Sequence, residues 1–240
     1  LEPQACSTPS TVDGEDAGKR PGNIAHWRLE ADDGLSNFVF QRQSKKHRGN
    51  LRRASHKLEE KLGCPIELRR TSRVAELDRF LRNAREITQS SYQSLFNPFA
   101  GDEPAMAAVM REAGDRLDGL SCYELIAGST TIAYQAGLTI DGAYHLLATA
   151  YRPEFAAHSP GQLLLARVLN DLDARGVRAV DFGFGDAAYK RSYGSHCRYE
   201  RCVRLHGRSA RSRVDGACAE MIDRAVLTTR RMNGGRAAAL

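Results

Sequence analysis

One stretch constrains the fold of this chain more than any other: residues 151–194, YRPEFAAHSPGQLLLARVLNDLDARGVRAVDFGFGDAAYKRSYG. Ser159-Pro160-Gly161 ends an extended segment and opens a helix. Leu164, Val168 and Leu172 recur every four residues, so one face of that helix is apolar. Gly176 stands where a helix stop is expected. Val177, Ala179 and Val180 belong to a β-type run that ends at Asp181-Phe182, and Gly183 and Gly185 then lead into Asp186, Tyr189 and Lys190. The predicted order is strand, small-residue loop, helix, strand, polar loop. A helix N-terminus carries backbone N–H groups without intrahelical partners, and such groups suit phosphate oxygens.

The rest of the chain supplies more helices and more strands. Residues 1–23, rich in Pro, Ser, Thr, Gly and Asp, read as disordered. The apolar cluster Trp27, Leu29, Leu35, Phe38, Val39 and Phe40 reads as the last strand or helix of something upstream. It falls within a linker-and-basic-helix segment, residues 24–63. A basic helix is predicted over 45–62, closed by Gly63 and Pro65, with a short strand at 66–68. Ser72 is placed to cap a helix whose stripe is Val74, Leu77, Phe80, Leu81, Ala84 and Ile87. Another helix, 103–117, would turn Met106, Val109, Met110 and Ala113 inward. Residues 121–127, 130–139 and 143–151 read as strands, the last two joined by Asp141-Gly142, a strong hairpin signal. A strand over 199–206 and an arginine-bearing helix over 214–229 complete the chain, the latter within a basic C-terminal segment, 211–240. The class is α/β or α+β: a mixed sheet with helices packed on it.

Charge and cysteine usage limit the setting. No apolar run approaches the roughly 18 residues of a membrane span. The first residues lack the apolar core of a signal peptide, and a chain opening on Leu1 reads as a fragment or a processed product. Six scattered cysteines make no disulfide framework and suit a reducing compartment, so the expected location is cytoplasmic. The net charge of +6 is unevenly placed. Seven Lys/Arg lie between Arg42 and Lys57 with no acid among them, and ten Arg face four acids from Arg198 onward. Such patches attract nucleotides, nucleic acid or an anionic membrane surface.

A hairpin, then S-P-G, helix, strand and D-F-G-x-G-D-x-x-Y-K form a pattern that resembles the GNAT acyltransferases. It most resembles the CelD-like acetyltransferases linked to polysaccharide synthesis, which are similar to one half of the Fem-type peptidyltransferases. Tyr151, Pro153, Glu154, Ser159, Gly161, Leu164, Gly176, Asp181, Phe182, Gly185, Asp186, Tyr189, Lys190 and Gly194 carry the resemblance, which spans about residues 34–206. It implies a GNAT-like mixed, mostly antiparallel twisted sheet flanked by helices, with the acyltransferase domain over 64–210. It also implies two GNAT-like halves in the whole protein, of which this chain holds the linker and the second. The implied donor substrate is acetyl-CoA or another acyl-CoA. The implied acceptor is an amine or hydroxyl of a sugar or cell-envelope precursor. The Fem-type likeness keeps aminoacyl-tRNA open as a donor and tRNA as a partner. A non-catalytic basic module that binds nucleic acid or an anionic surface is the reading from another class.

Transfer of an acyl group from a thioester needs N–H donors for pyrophosphate, a base for the nucleophile, and an acid or dipole for the thiolate. By the resemblance Ser159, Gly161, Gln162 and Leu163 supply the N–H groups, although Pro160 cannot donate. Tyr189 sits where these enzymes place a tyrosine that protonates the leaving thiolate; otherwise it is a core-edge aromatic. Lys190 is a ligand of donor phosphate or of an acceptor carboxylate, or a solvated lysine. Asp186 is an acceptor ligand or the i, i+4 partner of Lys190. Asp181 is a base, an orienting acceptor or a loop cap, His145 a general base or a structural strand histidine, and Tyr151 part of the acceptor site. Gly183-Phe184-Gly185-Asp186-Ala187-Ala188 fits the G-x-G-x-x-A fingerprint, but the helix after it is too short for a Rossmann unit. His196, Cys197, Cys202 and His206 have near-zinc spacing, but on one strand they would alternate faces, so free thiols and no metal are expected.

Overall fold

Alternation decides the first element. In β1, Asn23–Glu30, Ala25 and Leu29 are buried while His26, Arg28 and Glu30 turn to the other face. The computed structural model describes residues 23–90, 103–117 and 119–201. Helices α1 (Leu35–Arg42) and α2 (Lys45–Leu62) follow β1. The α2 N-terminus is capped by the Ser44 hydroxyl, which accepts from the His47 N–H. Next come β2 (Ile66–Thr71), α3 (Val74–Ser90) and α4 (Glu103–Leu117). The strands β3 (Cys122–Ala127), β4 (Thr130–Ile140) and β5 (Ala143–Tyr151) form a meander. A short 3₁₀ helix, Pro153–His158, leads into α5 (Pro160–Ala174), and β6 (Ala179–Phe184), α6 (Ala188–Tyr193) and β7 (His196–Arg201) end the described chain.

One seven-stranded sheet runs in the order β2-β3-β4-β5-β6-β1-β7. The β2–β3, β3–β4, β4–β5 and β1–β6 pairs are antiparallel, and β5–β6 is parallel. This is the mixed, mostly antiparallel sheet flanked by helices that the resemblance implied. The apolar cluster around Trp27 is divided between a strand inside this sheet and α1 beside it.

Two cores hold the sheet. On one face α1, α2, α5 and α6 pack over it through Leu35, Leu58, Leu164, Val168, Leu172 and Tyr193. On the other, α3 and α4 cover its β2–β5 side through Leu77, Phe80, Ile87, Met110 and Ala113. The α3 stripe is as expected except that Val74 is only partly buried, and α3 begins at Val74, two residues past Ser72. On α4 the inward set shifts: Ala107 is buried and Val109 is 54% exposed. Val109 instead looks onto a shallow apolar recess with Leu138 and Ile140. Among the described residues no helix is long and apolar enough to cross a membrane. Residues 202–206, Cys202 and His206 included, and the expected helix over 214–229 lie outside the described residues.

Candidate functional site

The parallel pair β5–β6 is short. Ala143 pairs with Ala179, Tyr144 with Val180 and His145 with Asp181, and there the ladder stops. Just past that point the β4–β5 register shifts, with Gly137 opposite Leu146 and Ala136 opposite Ala148. Leu147 is the extra residue of a bulge, which bends the strand. Gly137 is required here because Tyr144 lies across it: a Cβ would come within 2.4 Å of the Tyr144 ring. The strands therefore part like a wedge, and a cleft of about 260 Å³ opens on the α5 face. Leu146, Thr149 and Tyr151 of β5, Gly161 and Gln162 of α5, and Tyr189 of α6 are among its walls.

The α5 N-terminus forms the rim. Ser159 has left-handed dihedrals (φ 49°), and its carbonyl accepts from the N–H groups of both Gln162 and Leu163. Pro160 has no N–H to offer. Among the described residues the Gly161 N–H therefore remains as the unpartnered donor of this turn. The expected cradle of several N–H groups is reduced to one, flanked by the Ser159 and Gln162 side chains. Leu163 itself is buried in the core. Tyr151 packs against Gly161, whose Cβ, if present, would meet the ring at 3.5 Å.

Tyr189 reaches the cleft from α6, with its ring edge-on to Phe182 at 6.1 Å. Burial pushes its hydroxyl up to about 12, so it holds its proton throughout the neutral range. Lys190 is neither solvated nor presented to the cleft. It is 8% exposed, and its ammonium donates to the carbonyls of Gly183 (3.2 Å) and Phe184 (2.6 Å), pinning the end of β6. Burial lowers its pKa and the Asp181 charge opposes that. Asp186 is exposed and pairs with Arg191 at 2.6 Å, not with Lys190.

The other face of the wedge carries the ionisable groups. Val180 and Phe182 point into the core beneath α5, so Asp181 between them points to the opposite side. Its Oδ1 accepts from the Gly183 N–H (2.7 Å), in a turn that places Gly183 at φ +68°. The same oxygen accepts from His26 Nε2 at 2.7 Å, while His145 Nδ1 stands 3.8 Å from Oδ2. His26 Nδ1 in turn donates to Glu200 Oε1 at 2.8 Å. Burial, the largest influence on Asp181, pushes its carboxyl up. The His26 and Gly183 hydrogen bonds and the His26 and His145 charges outweigh it, and the pKa lies below 3.8. Burial likewise works to lower His26, but Glu200 and Asp181 raise it above 6.5.

His26 and Glu200 escaped the sequence reading. The signal for His26 was present in Ala25-His26-Trp27-Arg28-Leu29-Glu30, an alternation that marks a half-buried strand. Which strand its polar face would meet was not legible, because Asp181 lies 155 residues away in sequence.

A mixed, mostly antiparallel sheet flanked by helices, parted between β5 and β6, is consistent with the fold of the GNAT acyltransferases. The chain belongs to that family: its acetyltransferase (GNAT) domain matches residues 45–191, more than half of the chain. No curated protein matches. Among solved structures, the ribosomal-protein-S18-alanine N-acetyltransferase of Escherichia coli is 17% identical (TM-score 0.36) and is matched over 47% of this chain and 62% of its own. A conserved Bacteroides thetaiotaomicron protein of unknown function is 12% identical (TM-score 0.52), over 75% of this chain and 60% of its own. The PaiA N-acetyltransferase of Thermoplasma acidophilum, in complex with coenzyme A, is 18% identical (TM-score 0.35), over 47% of this chain and 74% of its own. The chain thus spans about three fifths of the first two of these proteins.

Proposed function

We propose that this chain is an acyltransferase that moves an acyl group, acetyl in the simplest case, from acyl-CoA to an amine or hydroxyl. The acceptor class we propose is a sugar or cell-envelope precursor. The observation that carries the donor side is the early end of the β5–β6 ladder, which leaves later β5 residues facing a cleft with the α5 N-terminus at its rim. The donor's phosphates meet the Gly161 N–H with Ser159 and Gln162 beside it, and its arm lies along Leu146, Thr149 and Tyr151.

The donor supplies an acyl carbon activated as a thioester. Where the strands part, His145 takes the proton from the acceptor from the opposite face of the sheet, as the acceptor's nitrogen or oxygen bonds to that carbon. The carbon–sulfur bond breaks and the electron pair leaves on sulfur, toward which Tyr189 donates a hydrogen bond. Full proton transfer from a phenol near 12 to a thiolate of ordinary basicity, about 8.5, would run uphill by roughly 5 kcal/mol. Tyr189 therefore acts as a hydrogen-bond donor to the thiolate, and the proton returns from solvent. Asp181 orients His145.

Calorimetric titration with acetyl-CoA and CoA tests this reading, with bulk tRNA run alongside at moderate salt. Saturable CoA binding is expected, and Ala156→Trp should weaken it at least about tenfold, because Ala156 is an exposed residue on the cleft wall. Binding of tRNA without CoA would favour aminoacyl transfer. CoA binding indifferent to a plugged cleft would place the donor elsewhere.

A further inference from the structure

The four ionisable groups behind the wedge come from four strands: His145 from β5, Asp181 from β6, His26 from β1 and Glu200 from β7. Two of them, His26 and Glu200, lie outside residues 45–191, the segment matched to the family's domain. Their geometry is restrictive. Carboxylate oxygens only accept hydrogen bonds, so a ring whose two nitrogens lie 2.7 and 2.8 Å from carboxylates carries a proton on each. His26 is therefore an imidazolium with no nitrogen left to act as a base. Phe184, with its ring 4.7 Å from that of His26, shields one side of it.

We propose that His26, fixed by Glu200, is a positioning residue of the acyl-transfer centre: it occupies Asp181 Oδ1 and leaves Oδ2 to hold His145 with its Nε2 free for the acceptor's proton. This rests on the reading of the chain as an acyltransferase. Asp181 Oδ1 is doubly engaged, by His26 and by the Gly183 N–H, so the carboxylate cannot rotate without losing both bonds. Its second oxygen faces His145 at 3.8 Å, a separation of the kind that tightens when substrate binds. With His26 charged, proton uptake by His145 brings the four groups to two cations and two anions, so the four together carry no net charge. Other charges facing the array are Arg28 and Glu30 along β1 and His196 and Arg198 on β7, which line one groove with His26 and Glu200. Behind it lies the Lys190 ammonium on the carbonyls of Gly183 and Phe184.

Two measurements on the full chain test the role. The first is independent of turnover: nitrogen NMR of the histidine rings against pH. His26 is expected to keep both ring protons at pH 7, and Glu200→Gln to lower its titration midpoint by about 0.5–1 pH unit. A neutral His26 at pH 7, with one bare nitrogen, overturns the proposal. The second is the pH–rate profile of acetyl transfer. His26→Gln offers one amide donor where the imidazolium offered two charged ones. We expect kcat to fall about 10–100-fold with the KM for donor held within twofold, and the acid limb of kcat/KM to move to higher pH as a cation leaves the base. Glu200→Gln, at a half-exposed site, should give a smaller loss of the same kind and guards against a misfolded His26→Gln. An unchanged kcat and profile in folded variants would make His26 merely structural and end the proposal. If the wild-type chain binds no acyl-CoA, the acyltransferase reading falls first and the positioning role falls with it.

Discussion

Tyr189 shows how much one side chain's surroundings decide its chemistry. Its hydroxyl, raised to about 12 by burial alone, stays protonated, and in the reaction we propose it stabilises negative charge on sulfur without surrendering the proton. Tyr189→Phe is therefore expected to lower kcat by about 10–100-fold, the scale of a lost hydrogen-bond donor at a developing anion. Donor affinity should hold within about twofold, since the bond strengthens only as the thiolate forms. Stopped-flow turnover beside equilibrium CoA binding separates the two, and a proportionate loss in both would make Tyr189 a binding residue instead. Tyr189 was singled out through the resemblance that the Y-K pattern after β6 helps to carry, and the structure lines the cleft with it. That Lys190 turns onto the end of β6 instead was not legible, because its partners are backbone carbonyls of Gly183 and Phe184, which carry no side-chain signature.

Among the elements, α5 best separates what pattern reveals from what geometry adds. Its apolar stripe, its start near Pro160 and its stop before Gly176 are local properties, and all were legible. The loss of donors at its N-terminus was not. It follows from Pro160, which has no N–H, and from the Gln162 N–H, which closes an i→i−3 bond to the Ser159 carbonyl beside the ordinary first helical bond from Leu163. Val109 on α4 makes the complementary point: helical periodicity allows a stripe to be drawn through either Ala107 or Val109, and only the packing of α4 on both α3 and β4 selects between them. The α5 rim carries its own prediction. Gly161→Ala places a methyl 3.5 Å from the Tyr151 ring, an ordinary contact, in a helix where Ala is favoured by about 1 kcal/mol over Gly. The melting temperature should stay level or rise. Affinity for CoA should fall several-fold, because the methyl stands beside the Gly161 N–H, to which we assign the donor's phosphate. Dephospho-CoA and CoA should lose alike, since the pyrophosphate is the group concerned. Unaltered CoA affinity in the more stable variant would remove the α5 N-terminus from the donor site.

At the scale of the whole molecule, the sheet joins the two ends of the described chain: β1 and β7 lie side by side, and His26 bonds to Glu200 across 174 residues. Contacts so distant in sequence leave no trace in local pattern, which is why the helices and the hairpin were legible and this array was not. The array ties the stability of the sheet to pH, and the sign follows from the two shifts. His26 is raised above 6.5 in the folded state, so its contribution is complete below pH 6.5 and is lost as pH rises through the higher folded value. Asp181 is lowered below 3.8, so its contribution is complete above pH 3.8 and is lost as pH falls through the lower folded value. Both are whole between 3.8 and 6.5. Trp27, the one tryptophan in the sequence, adjoins His26 on β1 and packs against Gly194 ahead of β7, so its emission reports on this junction. Urea unfolding followed by that emission should place wild type furthest above His26→Gln near about pH 5.5, with the gap narrowing toward about pH 8.5. A gap that stays constant across that range would mean that the His26 ring holds β1 to β6 by packing on Phe184 alone, with no charge in the folded clamp.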